Sequence, residues 1–134
     1  MKGHARNFMT ERVTSVSPET SLGAIARTLV AGRFGGVPVV DRNGGVLGFV
    51  GEGELVAALL ARTGPDVTAG KIMASAPVVI DEFETAEEVM RVMRERHVDH
   101  LLVARQGKLV GILTPLDVLR FFVDQILPAP PEAG

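Results

Sequence analysis

Two segments of this chain carry apolar residues at helical spacing, one in each half. The first helix is predicted over roughly 20–33 and the second over roughly 84–97, because apolar side chains recur there every three or four residues. Thr20, Ser21 and Thr85 are candidate N-caps, since their hydroxyls can accept a free backbone N–H. Each helix is therefore expected to bury one face and to expose the other.

Short extended segments surround these helices. The sequences VTSV and PVVI precede them, and two strands around a glycine-containing turn follow each one: VPVV and VLGFV in the first half, HLLV and LVGIL in the second. A further helix closes each half, over roughly 52–62 and 115–127. The order in each half is β-α-β-β-α, which predicts an α+β fold.

The two halves are copies in register. Met9 and Met73 are 64 residues apart (73 − 9), and this offset aligns the apolar positions as far as the hairpin turn. Beyond the turn the offset is 63 (111 − 48 for two glycines), because DRNGG in the first copy faces the shorter RQGK in the second. A hairpin loop is where a one-residue change is tolerated. We interpret the chain as an internal duplication.

The duplication sets the expected domain organisation. We assign a first repeat at 7–62, a linker at 63–70, a second repeat at 71–127 and a disordered Pro-rich tail at 128–134. One such unit has a marginal core, so the two repeats are expected to pack through their sheets. A pseudo-twofold axis would then relate two clefts between the lobes.

Composition narrows the choice of function. The chain has 134 residues, 46% of them hydrophobic, with a net charge of −2, so a sizeable core is expected and nucleic acid is a poor candidate partner. There is no cysteine, which removes disulfide and thiolate chemistry and fits a reducing compartment. No apolar segment resembles a secretion signal or reaches membrane-spanning length. We expect a cytoplasmic protein that has no membrane partner.

The stretch GILTPLDVL, at 111–119, has two compatible interpretations. Thr114 can cap a helix that has Pro115 at its first position, and Asp117 can close a capping box. The same residues could bind a nucleotide, because one carboxylate offers two acceptors to a ribose diol and a helix N-terminus favours phosphate. Thr114 could cap the helix and still offer its other lone pair.

Five sequence segments together resemble one family: FMTERVTSV, KIMASAPVVI, GGVPVVDRNGGVLGFV, VDHLLVARQGKLVGIL and GILTPLDVL. The chain resembles a tandem pair of CBS domains (named for cystathionine β-synthase), or Bateman module, over roughly 7–125. That family's pattern is Gly, two apolar residues, Thr or Ser, two further residues and Asp, which Gly111, Thr114 and Asp117 match. The resemblance implies a regulatory sensor that binds an adenosine-containing ligand in the clefts and signals to a partner.

The resemblance also implies the ligand contacts. Asp117 would hold the ribose and Thr114 the phosphate, while Arg120, one helical turn further on, could reach a phosphate or point to solvent. The adenine base would lie between two short segments, namely Ser75, Ala76, Pro77 and Val78 on one side, and Val98, Asp99 and His100 on the other. The expected ligand is AMP, ADP or ATP, with S-adenosylmethionine as an alternative.

The first copy departs from the family pattern. Gly51 stands where a hydroxyl residue is expected, and Glu54 replaces the aspartate with a side chain one methylene longer. We therefore predict a second cleft that is weaker, empty or altered in ligand. Its expected residues are Val13, Gly35, Gly36, Val37, Gly51 and Glu54.

Other functions remain as alternatives. The module could be a structural or interaction domain with vestigial clefts. Catalysis is not expected, since no nucleophile, acid–base or metal constellation is visible, and His97 with His100 lacks further metal ligands. The apolar segment VLRFFVDQIL, at 118–127, predicts a homodimer contact, and an unidentified effector protein would receive the signal.

Overall fold

The structure is a computed structural model, and it describes residues 3–131. It contains six helices and five strands within those residues. In chain order they are α1 (Ala5–Phe8), α2 (Leu22–Gly32), β1 (Gly36–Val40), β2 (Val46–Gly51), α3 (Glu52–Leu60), α4 (Ala69–Ile72), β3 (Val79–Asp81), α5 (Ala86–Arg96), β4 (Leu101–Arg105), β5 (Lys108–Leu113) and α6 (Pro115–Gln125).

The two amphipathic helices begin and end as equivalent elements. The Ser21 hydroxyl accepts the backbone N–H of Ala24 at 3.1 Å, and the Thr85 hydroxyl accepts that of Glu88 at the same distance. Thr20 does not cap; its hydroxyl accepts the backbone N–H of Ser17 instead. Both helices end in the left-handed region, α2 at Arg33 (φ 56°) and α5 at His97 (φ 51°). These two residues are 64 positions apart, which is the offset of the duplication.

Each repeat contains an antiparallel hairpin with one irregularity, β1–β2 between Val39 and Val40, and β4–β5 between Val103 and Ala104. The second hairpin turns through two residues of positive φ, 106 and 107. The first uses a longer loop, in which the Asp41 carboxylate accepts two backbone N–H groups at 2.8 Å. The one-residue change in offset is therefore located in this turn.

The two predicted extended segments differ in outcome. PVVI contributes to β3, which pairs in parallel with β4. VTSV forms no strand, because only Val16 pairs with β1, through two hydrogen bonds of 2.9 Å. The first sheet consequently has two strands and the second has three.

The segment before each repeat packs on the other repeat. Ala5 of α1 is fully buried in the core formed around α5 and β4, and Thr10 exchanges two backbone hydrogen bonds with Ile112 of β5. In the equivalent position, Ala69 of α4 is fully buried against the first repeat, and Ala74 exchanges two bonds with Phe49 of β2. We call these two segments, 4–10 and 68–74, the crossing segments. Each lobe is thus completed by residues that precede the opposite repeat.

Because of the crossing segments, the two lobes have different boundaries from the two repeats expected from the sequence. Residues 65–70, expected within the linker, pack on α2, where the Leu22 N–H donates to the Val67 carbonyl at 2.8 Å. Residues 71–74 also belong to the first lobe, and 7–10 to the second. A sequence offset shows which segments are equivalent, but it does not show which lobe each one contacts. In the tail, residues 128–131 are exposed without helix or strand, and 132–134 lie outside the described residues.

Two glycines make room for the crossing segments. A Cβ built on Gly48 would lie 2.7 Å from the carbonyl oxygen of Ala74 and against the sulfur of Met73. A Cβ on Gly111 would lie 3.1 Å from the carbonyl oxygen of Thr10 and against the sulfur of Met9. Gly111, which begins the GILT motif, therefore allows close approach of the first crossing segment.

Both faces of the central strands are buried. Val37 and Val39 of β1 lie in the core of the first lobe, and Pro38, which points to the opposite face, is buried as well. In β4, Leu102 is buried opposite the core residues Leu101 and Val103. Burial on both faces fits two lobes packed through their sheets, and the predicted α+β fold is confirmed. Within 3–131, no helix combines the length and apolar character needed to cross a bilayer.

Candidate functional site

Two cavities lie between the lobes. The larger, about 490 Å³, is lined by residues from 51–54, 74–78 and 97–100, and we call it the Glu54 cleft. The other, about 310 Å³, is lined by residues from 10–14 and 33–36 together with His100, Ile112, Thr114 and Asp117, and we call it the Asp117 cleft. Each cleft thus combines a crossing segment and its continuation with the helix start of the opposite repeat.

The structure divides the expected site residues differently from the sequence. Five residues expected beside Asp117 line the Glu54 cleft instead: Ala76, Pro77, Val78, Val98 and Asp99. Ser75 is exposed and does not line either cleft. Val13 and Gly36, expected beside Glu54, line the Asp117 cleft. The grouping by repeat was wrong because the segment that precedes each repeat crosses to the opposite lobe.

Four other residues were expected to line a cleft, and three of them do. Gly35 and His100 line both clefts, and Gly51 lines the Glu54 cleft as expected. Val37 is fully buried in the core of the first lobe and lines neither cleft, because its side chain points to the helix side of β1.

Asp117 is 4% exposed and both of its carboxylate oxygens accept hydrogen bonds. Oδ2 accepts from the Thr114 backbone N–H at 2.9 Å and from its hydroxyl at 3.1 Å. Oδ1 accepts from the Thr10 hydroxyl at 3.1 Å and from Arg120 at 3.2 Å. The predicted capping box at α6 is confirmed, and in this structure Arg120 is directed to the carboxylate.

Glu54 reproduces only part of this arrangement. Its Oε1 accepts the Gly51 backbone N–H at 2.8 Å, which closes one half of a capping box at the start of α3. Gly51 has no hydroxyl to add a second donor. Ala74 stands where the other cleft has Thr10, so no side chain there corresponds to the Thr10 hydroxyl.

His100 separates the two clefts. Its ring lies 4.9 Å from the ring of Phe49 between centroids, and its Nδ1 is 2.9 Å from Asp99 Oδ1. A Cβ on Gly35 would lie 3.0 Å from the His100 ring, so the glycine allows the ring to fit. In the first repeat the position equivalent to His100 is Gly36, which has no side chain. The ring that separates the clefts is therefore contributed by the second repeat alone.

Several lining residues were missed by sequence reasoning. Thr10, Arg12 and Arg33 line the Asp117 cleft, while Phe49 and Glu52 line the Glu54 cleft. The offset of 64 could have found some of them, because it pairs residues 11–14 with 75–78. It does not give the lobe that each segment contacts, which is why these residues could not be assigned to a cleft.

A strong ion pair lies away from the clefts. Arg105 donates to both oxygens of the buried Glu82 at 2.8 Å. The hydrogen bonds from Arg105 outweigh desolvation and hold the pKa of Glu82 below its ordinary value. The Glu82 carbonyl also accepts the Arg6 backbone N–H at 2.9 Å. This pair therefore supports the attachment of the first crossing segment.

Over residues 3–131, no three His, Cys, Asp or Glu side chains come together in a way that could hold a metal ion. His97 and His100 line the Glu54 cleft, but they belong to no such set.

The repeated fold and the paired clefts define a tandem CBS-domain protein. The family model for the CBS domain matches residues 5–61 and 69–124. The chain therefore belongs to the CBS-domain family.

Three similar proteins cover nearly the whole chain. A CBS domain-containing protein of Dictyostelium discoideum is 26% identical over an alignment of 145 positions, which covers 99% of this chain and 100% of that protein. CBSX2 of Arabidopsis thaliana, solved in complex with AMP, is 30% identical with a TM-score of 0.82, covering 90% of this chain and 96% of that one. Hypoxic response protein 1 of Mycobacterium tuberculosis is 28% identical over 118 residues, 87% of this chain and 82% of that protein. Its crystal structure, which holds two coordinated zinc ions, gives a TM-score of 0.80.

Proposed function

We propose that this chain is a regulatory module that binds an adenosine nucleotide in the Asp117 cleft and signals its presence to a partner protein. The observation that carries the proposal is the buried Asp117 carboxylate at the N-terminus of α6, facing a cavity that is also lined by Arg12 and Arg33. A carboxylate for a ribose diol, a helix N-terminus and two guanidinium groups for phosphate suit one ligand.

The bonds at Asp117 suggest how such a ligand would bind. Oδ2 is held by Thr114 of the same capping box, whereas Oδ1 is held by Thr10 and by the exposed Arg120. A ribose diol would compete for Oδ1, and the displaced Arg120 would then be free to pair with phosphate. The AMP complex of CBSX2 supports an adenosine nucleotide as the ligand class.

Calorimetric titration with AMP, ADP and ATP tests the proposal. We expect one of them to bind, and Asp117→Asn to weaken binding at least about tenfold by removing the charge on the acceptor. Asparagine is preferred to alanine because Asp117 also caps α6, so truncation would cost about 1 kcal/mol of stability. Glu54→Gln is the matched control in the other cleft and is expected to leave this affinity unchanged.

A thermal shift gives an independent measurement. A nucleotide at 100 times its dissociation constant should add about 2.7 kcal/mol and raise the melting temperature by several degrees. Equal shifts for the parent protein and Asp117→Asn would remove the site assignment. The absence of a shift with any adenine nucleotide would favour the second candidate, an interaction module whose clefts hold no ligand. Turnover of a bound nucleotide would contradict the expectation from the sequence that the chain is not an enzyme.

We also propose that the module is a homodimer and that the effector protein recognises the dimer. One exposed side of α6 is strongly apolar, and so is the exposed side of α3, although isolated soluble helices usually present polar residues there. The exposed apolar residues are Leu116, Leu119, Phe122, Val123, Val56, Leu59 and Leu60. Sedimentation velocity should give a dimer that Leu119→Glu dissociates, and a monomeric parent protein would contradict the proposal. A cytoplasmic location remains a prediction from the sequence.

A further inference from the structure

The two clefts differ in the sign of their charge. Three carboxylates line the Glu54 cleft, those of Glu52, Glu54 and Asp99, and neither Lys nor Arg is among its lining residues. Arg12 and Arg33 line the Asp117 cleft, where Asp117 is the only carboxylate among the lining residues. The duplication therefore produced two cavities of similar construction whose charged side chains differ, mainly carboxylates in the Glu54 cleft and guanidinium groups in the Asp117 cleft.

The basic side chains that line the Glu54 cleft are the imidazoles of His97 and His100 rather than lysine or arginine. Within residues 3–131, no Lys or Arg forms an ion pair with Glu52, Glu54 or Asp99. Glu54 accepts only the Gly51 N–H, and Asp99 contacts the His100 ring. A phosphate in this cleft would face like charges, which is a strong means of rejecting a ligand.

The positive charge of the Asp117 cleft is, in contrast, available to a ligand. Asp117 is already paired with Arg120 at 3.2 Å, so its charge offsets that arginine rather than Arg12 or Arg33. Arg33 also has a left-handed backbone at the end of α2, a position that usually favours glycine. The residue at this position is an arginine although glycine would fit the backbone better, and this arginine lines the Asp117 cleft.

The Glu54 cleft still has features that suit a nucleoside. Phe49, Val78 and Val98 provide apolar surface for a base, and Glu54 stands at the position equivalent to Asp117. What it lacks is a guanidinium or hydroxyl partner for phosphate, since Gly51 replaces the threonine, no Lys or Arg is among the lining residues, and the lining carboxylates repel an anion. The cleft therefore retains base and ribose contacts but rejects phosphate.

Resting on the proposed function of the Asp117 cleft, we propose that the two clefts sort ligands by charge. The Asp117 cleft takes the phosphorylated nucleotide. The Glu54 cleft takes an adenosine-type nucleoside without phosphate, and prefers one with a positive charge at the 5′ end. The module would then bind two adenosine compounds of opposite charge, one in each cleft, rather than the same compound in both clefts.

A series of ligands that differ only at the 5′ position tests this. The probes are 5′-amino-5′-deoxyadenosine, adenosine and AMP, titrated calorimetrically into Asp117→Asn, in which the Asp117 cleft is weakened. We expect affinity to fall in that order, by roughly tenfold from the amine to AMP, and the preference to shrink at high salt. AMP binding as tightly as the amine in this variant would overturn the inference.

The double variant Glu52→Gln/Glu54→Gln provides a second test of the inference, because the two substitutions remove negative charge from the Glu54 cleft and keep side-chain size. The preference for the amine over AMP should fall by about tenfold, and an unchanged preference would overturn the inference. In the parent protein, two equivalents of AMP per chain would overturn charge sorting while supporting the proposed nucleotide function. If the parent protein binds the amine but not AMP, the proposed nucleotide function is overturned, whereas the charge preference of the Glu54 cleft is retained.

Discussion

Thr10 and Asp117 are joined by a hydrogen bond of 3.1 Å from the threonine hydroxyl to Oδ1, although 107 residues separate them in the chain. The bond ties the first crossing segment to the helix that carries the candidate ribose acceptor. A ligand that takes Oδ1 would therefore remove one of the bonds that hold this segment, while the two backbone bonds between Thr10 and Ile112 would remain.

Thr10→Val removes this hydroxyl and keeps the side-chain shape. We expect the free energy of unfolding to fall by about 1 kcal/mol, because a partner of a buried carboxylate is lost. Nucleotide affinity should rise, since the ligand no longer competes with Thr10 for Oδ1. Chemical denaturation and calorimetry measure the two effects, and Thr10→Ser is the control that keeps the hydroxyl. Weaker binding in Thr10→Val would show instead that the hydroxyl contacts the ligand.

Arg33→Gly separates backbone strain from ligand contact. Glycine adopts the left-handed conformation freely, so stability should rise by about 0.5–1 kcal/mol. The affinity for ATP should nevertheless fall about tenfold, because one cation of the Asp117 cleft is lost. His97→Gly is the matched control, as it relieves the same strain on the other cleft and should leave ATP affinity unchanged. An equal loss in both variants would argue against a role for Arg33.

Gly111→Ala tests the approach of the first crossing segment to β5. The added methyl group would meet the sulfur of Met9 and the Thr10 carbonyl, and we expect a loss of about 1–3 kcal/mol in the free energy of unfolding. Gly53→Ala is the control, because nothing lies within 4 Å of its Cβ position and alanine is the better helix former within α3. Gly53→Ala should therefore be slightly stabilising. A neutral Gly111→Ala would mean that the crossing segment is not held closely in solution.

Glu82 should make stability depend on acid pH. Its pKa is lowered in the folded state by the Arg105 hydrogen bonds, so the folded protein binds fewer protons than the unfolded chain. The contribution of the pair is present above the unfolded pKa, about 4.3. It is lost as the pH falls through the lower folded value.

The measurement is a series of melting temperatures across acid pH for the parent protein and Glu82→Gln. The variant should be less stable at neutral pH and should lose less stability on acidification, because it has no carboxylate to protonate at that position. Parallel curves for the two proteins would contradict the assigned role of the ion pair.

The duplication made much of the fold predictable. The spacing of apolar residues predicted both amphipathic helices, and the offset of 64 made them equivalent; the structure ends them at Arg33 and His97, which are also 64 residues apart. The strand pattern failed at VTSV, where only Val16 pairs, because the alternation of apolar residues does not determine how many backbone bonds a segment makes.

The site was less predictable than the fold. The capping box of Thr114 and Asp117 could be predicted because all of its atoms lie within one helical turn. The base-side residues, such as Pro77 and Val98, were assigned to the wrong cleft, since that choice depends on contacts between distant segments. Arg120 was expected either to reach a phosphate or to point to solvent, and it pairs with Asp117, an interaction that only side-chain geometry reveals.

The crossing segments also impose an order on folding. The first lobe can close as soon as residues 68–74 have left the ribosome, because its partner strand β2 has already been made. The second lobe needs residues 4–10, which are synthesised first but must wait for Ile112 of β5. Contacts of such long sequence separation form slowly, so closure of the second lobe by the N-terminal segment is expected to be the last step of folding. An isolated second repeat would lack that segment and would leave one edge of its sheet open.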